Sequence, residues 1–271
     1  MKKLLTLVCM LFILIGLNGV TRFDLSADEK LVTIPLSISY SSIYWWRGTV
    51  LNDGAGTFWP DAECNIKDFS LSIAGCISEE WFTKNDSASE DTAKSFTEID
   101  YGLFYSRDIN DISLSAGVMF CHWPFYDEAD DSAEDPSFWE ASLSIGVDTI
   151  LSPTLEFYYD YYIESYEGSY GKDVPTDEDY YIRFSVGHEL INRNDNLIMS
   201  VGAWIGYYND PYFEADGWSD MVALVGFSNQ YNNLSFNSNF YYGRTLSKDF
   251  RDANDGIMNH FWCDFGISYS L

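Results

Sequence analysis

The chain ends Phe261-Trp262-Cys263-Asp264-Phe265-Gly266-Ile267-Ser268-Tyr269-Ser270-Leu271. Every second residue from Phe261 to Leu271 is apolar or aromatic, while His260, Trp262, Asp264, Gly266, Ser268 and Ser270 fill the positions between. Successive side chains of a strand point to opposite faces, so this stretch has one greasy face and one of mixed, mostly small or polar groups. The same period of two returns upstream. Leu197, Met199, Val201, Ala203, Ile205 and Tyr207 form one set, Leu155, Phe157, Tyr159, Tyr161 and Ile163 a second, and Ile112, Leu114, Ala116, Val118 and Phe120 a third.

Twelve such runs are predicted, over residues 34–47, 57–66, 69–80, 96–107, 111–123, 138–150, 154–165, 179–190, 196–208, 218–229, 233–245 and 257–271. Short connections at 67–68, 108–110, 151–153, 192–195 and 230–232 alternate with longer ones at 48–56, 81–95, 124–137, 166–178, 209–217 and 246–256. Short and long ends therefore lie on opposite sides of a meander. An even strand number, short turns at one end, long loops at the other and segments of about ten alternating residues describe a transmembrane barrel. Closure satisfies every edge N–H and C=O in lipid, which an open sheet could not do. The expected fold is an all-β, antiparallel up-and-down transmembrane β-barrel of about twelve strands. A secreted, soluble all-β binding module is the competing reading of the same alternation.

Composition narrows the function. Of 271 residues, 15 are Lys or Arg and 42 are Asp or Glu, a formal charge of −27, with 18% aromatics. So many aromatics exclude a disordered acidic tail, and so negative a charge argues against nucleic acid as a partner. Lys2 and Lys3 precede a nearly unbroken apolar run from Leu4 to Leu17, which reads as a secretory signal peptide over residues 1–27 with its cleavage point open. Residues 28–271 then form the barrel, with 12 basic and 41 acidic residues. Cys64, Cys76, Cys121 and Cys263 sit singly within strand-like runs, with Cys64 facing Leu71, so packing is expected of them rather than disulfide bonding.

All nine tryptophans fall in the half of this topology nearer the long loops, which predicts an external aromatic girdle. The final strand resembles the assembly signal of bacterial outer-membrane proteins, although Leu271 stands where Phe is usual. Ser39-Tyr40-Ser41-Ser42-Ile43-Tyr44-Trp45-Trp46-Arg47-Gly48 resembles the first-strand motif of the TorF-like porin family, in which an aromatic-Arg-Gly precedes the first external loop. Ser152-Pro153-Thr154-Leu155-Glu156-Phe157-Tyr158-Tyr159-Asp160 is similar to that family's Pro-led strand ending in Tyr and Asp. The resemblance implies a pore in the bacterial cell outer membrane, with its lipids as surroundings, and names no substrate.

With apolar positions turned to lipid, the inward set includes Asp61, Glu63, Glu98, Asp100, Glu140, Asp148, Glu156, Asp160, Glu189, Asp220 and Asp264, against Arg183 and Arg47. Carboxylates in such excess need water or cations, since an unpaired buried charge is costly. A hydrated lumen that draws small cations or neutral solutes follows. The expected pore-lining residues are Asp100, Glu140, Asp160 and Asp264, with Arg183 facing them across a constriction. A bore plugged by long aromatic side chains, in a closed structural or surface-interaction barrel, is the other reading of these residues.

The loop carrying Asp127, Glu128, Asp130, Asp131, Glu134 and Asp135 could hold Ca²⁺ or Mg²⁺ weakly, yet it lacks calcium-loop spacing and reads more readily as a solvated, self-repelling loop. No resident metal or cofactor is expected. His122, His188 and His260 form no recognisable catalytic motif, so no enzyme is expected either. Oligomeric state is not legible.

Overall fold

A computed structural model of the chain describes residues 32–51, 55–78, 98–123, 137–162, 179–193, 197–210, 215–253 and 256–271. The expected signal peptide, the acidic loop from Asp127 to Asp135 and Trp81 lie outside the described residues.

The strands are β1 (Val32–Thr33), β2 (Pro35–Ser41), β3 (Tyr44–Trp46), β4 (Thr49–Leu51), β5 (Thr57–Ile66), β6 (Phe69–Ser78), β7 (Glu98–Ile109), β8 (Ile112–His122), β9 (Phe138–Val147), β10 (Thr154–Tyr162), β11 (Asp179–Arg193), β12 (Leu197–Asp210), β13 (Ala215–Tyr231), β14 (Leu234–Thr245) and β15 (Asn259–Ser270). One short helix, α1 (Lys248–Ala253), precedes β15. From β5 to β15 each strand pairs antiparallel with the next, β15 pairs with β2, and β2 pairs with β5, closing a twelve-stranded barrel. β1 extends β2 along the same neighbour, with Val32 opposite Ile66.

The alternation sorts as the lipid argument requires. Ile38, Leu71, Ile73, Leu103, Leu143, Ile145, Leu155, Phe184, Phe236, Phe240 and Phe265 are exposed on the outer face. Among the described residues, the buried aromatics Tyr181, Tyr208 and Phe250 gather instead inside one end of the barrel. No described helix is long and apolar enough to cross a membrane; strands do the crossing in this architecture.

The short turns have a common device. Lys67, Asn110, Ser152 and Asn232 each take a positive φ, at +56°, +54°, +37° and +54°, which lets the tight connections follow the right-handed twist of the strands they join. Cys64 lies opposite Leu71 as its spacing predicted, and all four described cysteines are free. A register shift in β13 leaves Trp218 opposite Tyr207 and Asp220 opposite Gly206, with Ser219 as the extra residue. This bulge lets Trp218 face outward, 55% exposed, while Asp220 two positions on is fully buried inside.

The main departure from the expected layout is the first strand. It ends at Ser41 rather than continuing to Arg47, and residues 44–51 form a separate two-stranded hairpin of β3 and β4. Ser42 and Ile43 bend the chain, with the Ser41 hydroxyl donating to the Ile43 carbonyl, and the Ser42 N–H donating to the Cys263 carbonyl of β15. Arg47 (φ +46°) and Gly48 (φ +99°) make the hairpin turn. The hairpin folds back into the barrel mouth, where the expected external loop 48–56 would have begun.

Candidate functional site: an acid-lined bore and its inner hairpin

Glu140 of β9, Asp160 of β10 and Asp179 of β11 stand side by side, for Asp160 lies directly opposite both others in the ladder. Like charges at directly opposed positions repel, so three buried carboxylates in one row call for a cation. The inner hairpin supplies it. Arg47 Nη1 donates to Asp160 Oδ2 at 2.6 Å, and Nη2 donates to Asp160 Oδ1 at 3.2 Å and to Glu140 Oε2 at 2.5 Å. Asp179 Oδ1 lies 3.5 Å from Nη1. This fork-like grip on Asp160 is the strong geometry for arginine and carboxylate. Trp46 lies 4.5 Å from the guanidinium, and the rings of Tyr208, Tyr181 and Tyr158 lie 5.2, 5.4 and 5.6 Å away, adding cation–π attraction. Arg47 is itself only 7% exposed.

The rest of the hairpin is held around the bore. The Tyr44 hydroxyl donates to Glu98 Oε2 at 3.0 Å, and its ring meets Trp59 edge-on at 5.0 Å. Trp45 stacks on Trp262 at 5.0 Å, and Trp262 stacks on Tyr241 at 4.8 Å. The Gly48 carbonyl accepts from Thr245 Oγ1 at 2.8 Å. A Cβ at Gly48 would meet the Ser219 carbonyl oxygen at 3.0 Å, so both the left-handed φ and the close approach to the β13 bulge demand glycine here. Beside the turn, Phe250 of α1 stacks on Tyr208 at 5.7 Å and is fully buried.

What remains is a cavity of about 420 Å³ between the hairpin and the wall, lined by Asp100, Glu140, Arg183, Asp264, Asp220 and Glu98 among others. A second, of about 430 Å³, is lined by Ser185, Gly187, Ser200 and Gly202 towards the short-turn end, and Arg183 and Trp204 border both. The bore is thus crowded with aromatic and acidic groups at one end and lined by small residues at the other.

Four of the five expected pore-lining residues, Asp100, Glu140, Arg183 and Asp264, face the first cavity, and Asp160 is buried beneath Arg47. Within that cavity Arg183 is already paired with a carboxylate of its own. It binds Glu156, with Nε donating to Oε2 at 2.5 Å and Nη2 to Oε1 at 2.7 Å, next to the Tyr158 hydroxyl. Arg47 is the cation at the three-acid row, because the hairpin carries it there. Asp179 and Tyr208 escaped sequence reading, although the inward alternation Arg183, Tyr181, Asp179 along β11 carries the signal.

The external tryptophan girdle needs correction as well. Trp45, Trp46, Trp59, Trp204 and Trp262 line the central cavity, and Trp204 Nε1 donates to Asp220 Oδ2 at 2.7 Å. Trp139 and Trp218 are exposed outside. Trp59 and Trp262 pack on the hairpin rings of Tyr44 and Trp45, and Trp204 meets Tyr241 of the wall edge-on at 6.2 Å.

A closed twelve-stranded barrel with an apolar exterior and an acid-lined bore defines the outer-membrane type of β-barrel protein. No protein-family model matches this sequence, and neither does any curated protein. Solved structures do. The NanC porin is 8% identical over 88% of this chain and 100% of its own, with a TM-score of 0.54. The translocator domain of the autotransporter NalP from Neisseria meningitidis is 13% identical over 97% of this chain and 96% of its own, with a TM-score of 0.47. An outer membrane channel from Pseudomonas putida F1 is 12% identical over 92% and 99%, with a TM-score of 0.46. At such identities the likeness is one of fold.

The expectation that the chain is no enzyme is withdrawn. That expectation rested on the absence of a recognisable motif, and such an absence does not exclude catalysis; LpxR from Salmonella typhimurium is among the matching barrels, at 11% identity over 87% of this chain and 99% of its own, with a TM-score of 0.44. The histidines are placed as follows. His122 Nδ1 lies 3.1 Å from Ser137 Oγ, a fully buried hydroxyl that also accepts from the Trp123 N–H. His188 Nδ1 lies 2.7 Å from the Ile150 carbonyl, and His260 packs on Trp45 at 4.9 Å.

Proposed function

We propose that the protein is a bacterial outer-membrane channel for small cations or neutral solutes, narrowed by the inner hairpin and related to the TorF-like porins. The observation that carries this reading is the imbalance of fixed charge in the bore. Glu98, Asp100, Glu140, Asp160, Asp179, Asp220 and Asp264 face or underlie the cavity, while Arg47 and Arg183 are already engaged by carboxylates. The uncompensated charge makes the interior electronegative, and in a low-dielectric wall that field concentrates cations and repels anions. The arginine-bearing motif resembling the TorF-like family forms the tip of the hairpin, which gives that resemblance a role inside the bore.

Reversal potentials in planar bilayers under a KCl gradient test the reading: preference for K⁺ over Cl⁻ supports it, and preference for Cl⁻ contradicts it. A second reading, a closed structural or surface-interaction barrel, is favoured by the filling of one end with Tyr44, Trp45, Trp46 and Phe250. It predicts folded insertion with no conductance.

A further inference from the structure

The row of Glu140, Asp160 and Asp179 shares one arginine, but a second cluster of buried acids on the neighbouring wall has none. Glu98 and Asp100 occupy successive inward positions of β7, and Cys121 of β8 lies directly opposite Asp100. Their exposures are 2%, 8% and 0%. One carboxylate oxygen from each acid and the Cys121 sulfur all lie within 4.8 Å of one another. Asp100 Oδ1 is buried without a hydrogen-bond partner, and neither Glu98 nor Asp100 has a salt-bridge partner among the described residues. The hydroxyl that reaches Glu98, from Tyr44, is neutral and engages Oε2.

We propose that Glu98, Asp100 and Cys121 bind one divalent transition-metal ion of the zinc class in the wall of the bore. Two observations carry the assignment beyond the bare cluster: the orphaned Asp100 oxygen in a buried setting, and a donor set that mixes sulfur with oxygen. Two adjacent buried carboxylates without a counter-charge are costly, and a divalent ion removes that cost. A thiolate with two carboxylates suits zinc or cobalt, whereas calcium and magnesium take oxygen alone. Binding releases the Cys121 thiol proton to solvent and forms the sulfur–metal bond, with no change of oxidation state. Glu98 and Asp100 both line the central cavity, which gives the ion a path from the aqueous bore. The site is independent of whether the bore conducts.

The test uses the whole barrel, folded in detergent, reduced and stripped of metal, with Co²⁺ as the optical probe and Zn²⁺ as competitor. The expected result is a thiolate-to-cobalt charge-transfer absorption that saturates at one ion per chain and is abolished by Zn²⁺. It should be absent in Cys121→Ser, unchanged in Cys64→Ser, and shifted to about tenfold weaker affinity or more in Asp100→Asn. Heat-modifiability on gels establishes that each variant has folded, and Asp100→Asn decides the matter if Cys121→Ser does not fold. Absence of the band in the wild-type chain, its survival in Cys121→Ser, or undiminished affinity in Asp100→Asn overturns the proposal.

Discussion

Arg47 and Asp160 lie 113 residues apart in sequence and meet inside the barrel at 2.6 Å, joining the inner hairpin to the wall. The contact is buried on both sides, so removing one partner strands the other. Loss of one member of a buried ion pair typically costs about 3–5 kcal/mol. Arg47→Ala is therefore expected to lower the unfolding midpoint of the detergent-folded barrel, while Arg47→Lys, which keeps the charge and loses the fork, falls between the two. Thermal unfolding followed by the heat-modifiability shift measures this; equal midpoints for all three chains would remove the pair from the account.

The coupling should also be visible as non-additivity. Asp160→Asn weakens the grip on Arg47 but relieves repulsion from Glu140 and Asp179, its neighbours in the ladder. Combined with Arg47→Ala, its effect should depart from the sum of the single changes by about 0.5 kcal/mol or more. Additive behaviour in a double-mutant cycle of unfolding free energies would mean the two side chains do not interact.

Gly48→Ala tests the hairpin without touching charge. At φ +99°, with the Ser219 oxygen 3.0 Å from the added methyl, the substitution carries about 1–2 kcal/mol of backbone strain before any clash. Weakened docking of the hairpin is the expected outcome, read as faster proteolysis within residues 44–51 of the folded barrel. Unaltered protection would place the turn elsewhere.

Selectivity should follow the Glu156–Arg183 pair. Glu156→Gln removes a negative charge and frees the Arg183 guanidinium towards both cavities. Cation preference in reversal-potential measurements should fall, and Arg183→Gln should raise it. Shifts of the opposite sign would contradict the electrostatic reading.

The two faces of one strand offer a further check. Leu143 is exposed on the outer face of β9, and its neighbour Ser144 lies opposite the inward Glu156. Leu143→Arg is expected to destabilise the bilayer-inserted barrel by about 2–4 kcal/mol. Ser144→Arg, beside a carboxylate in the bore, should be tolerated. Equal costs measured by urea titration in vesicles would mean the outer face does not meet lipid.

The strands were legible because lipid outside and water inside impose a strict period of two, and a one-residue slip would invert every side chain. Cys64 opposite Leu71 follows from that pattern alone. The end of the first strand was hidden by the same rule. Tyr44, Trp45, Trp46 and Arg47 keep an extended rhythm, and a hairpin surrounded by the barrel wall alternates as a wall strand does. The alternation already placed Trp262 on the inward set with Asp264; the interfacial preference of indoles pulled that reading outward. Nor could spacing foresee the bulge at Ser219, which turns Trp218 and Asp220 to opposite faces. The acids of the bore, Asp179 apart, were legible from alternation, and their division into one row that shares an arginine and one cluster without any was not, since it depends on where the hairpin tip lands.

Single-channel conductance of the wild-type chain and Arg47→Ala, compared in the same planar bilayers, tests the central claim most directly. The account predicts small cation-selective openings for the wild type and distinctly larger ones once the hairpin loses its anchor. Identical conductance in the two chains, or a closed membrane with both, would contradict a channel narrowed by Arg47.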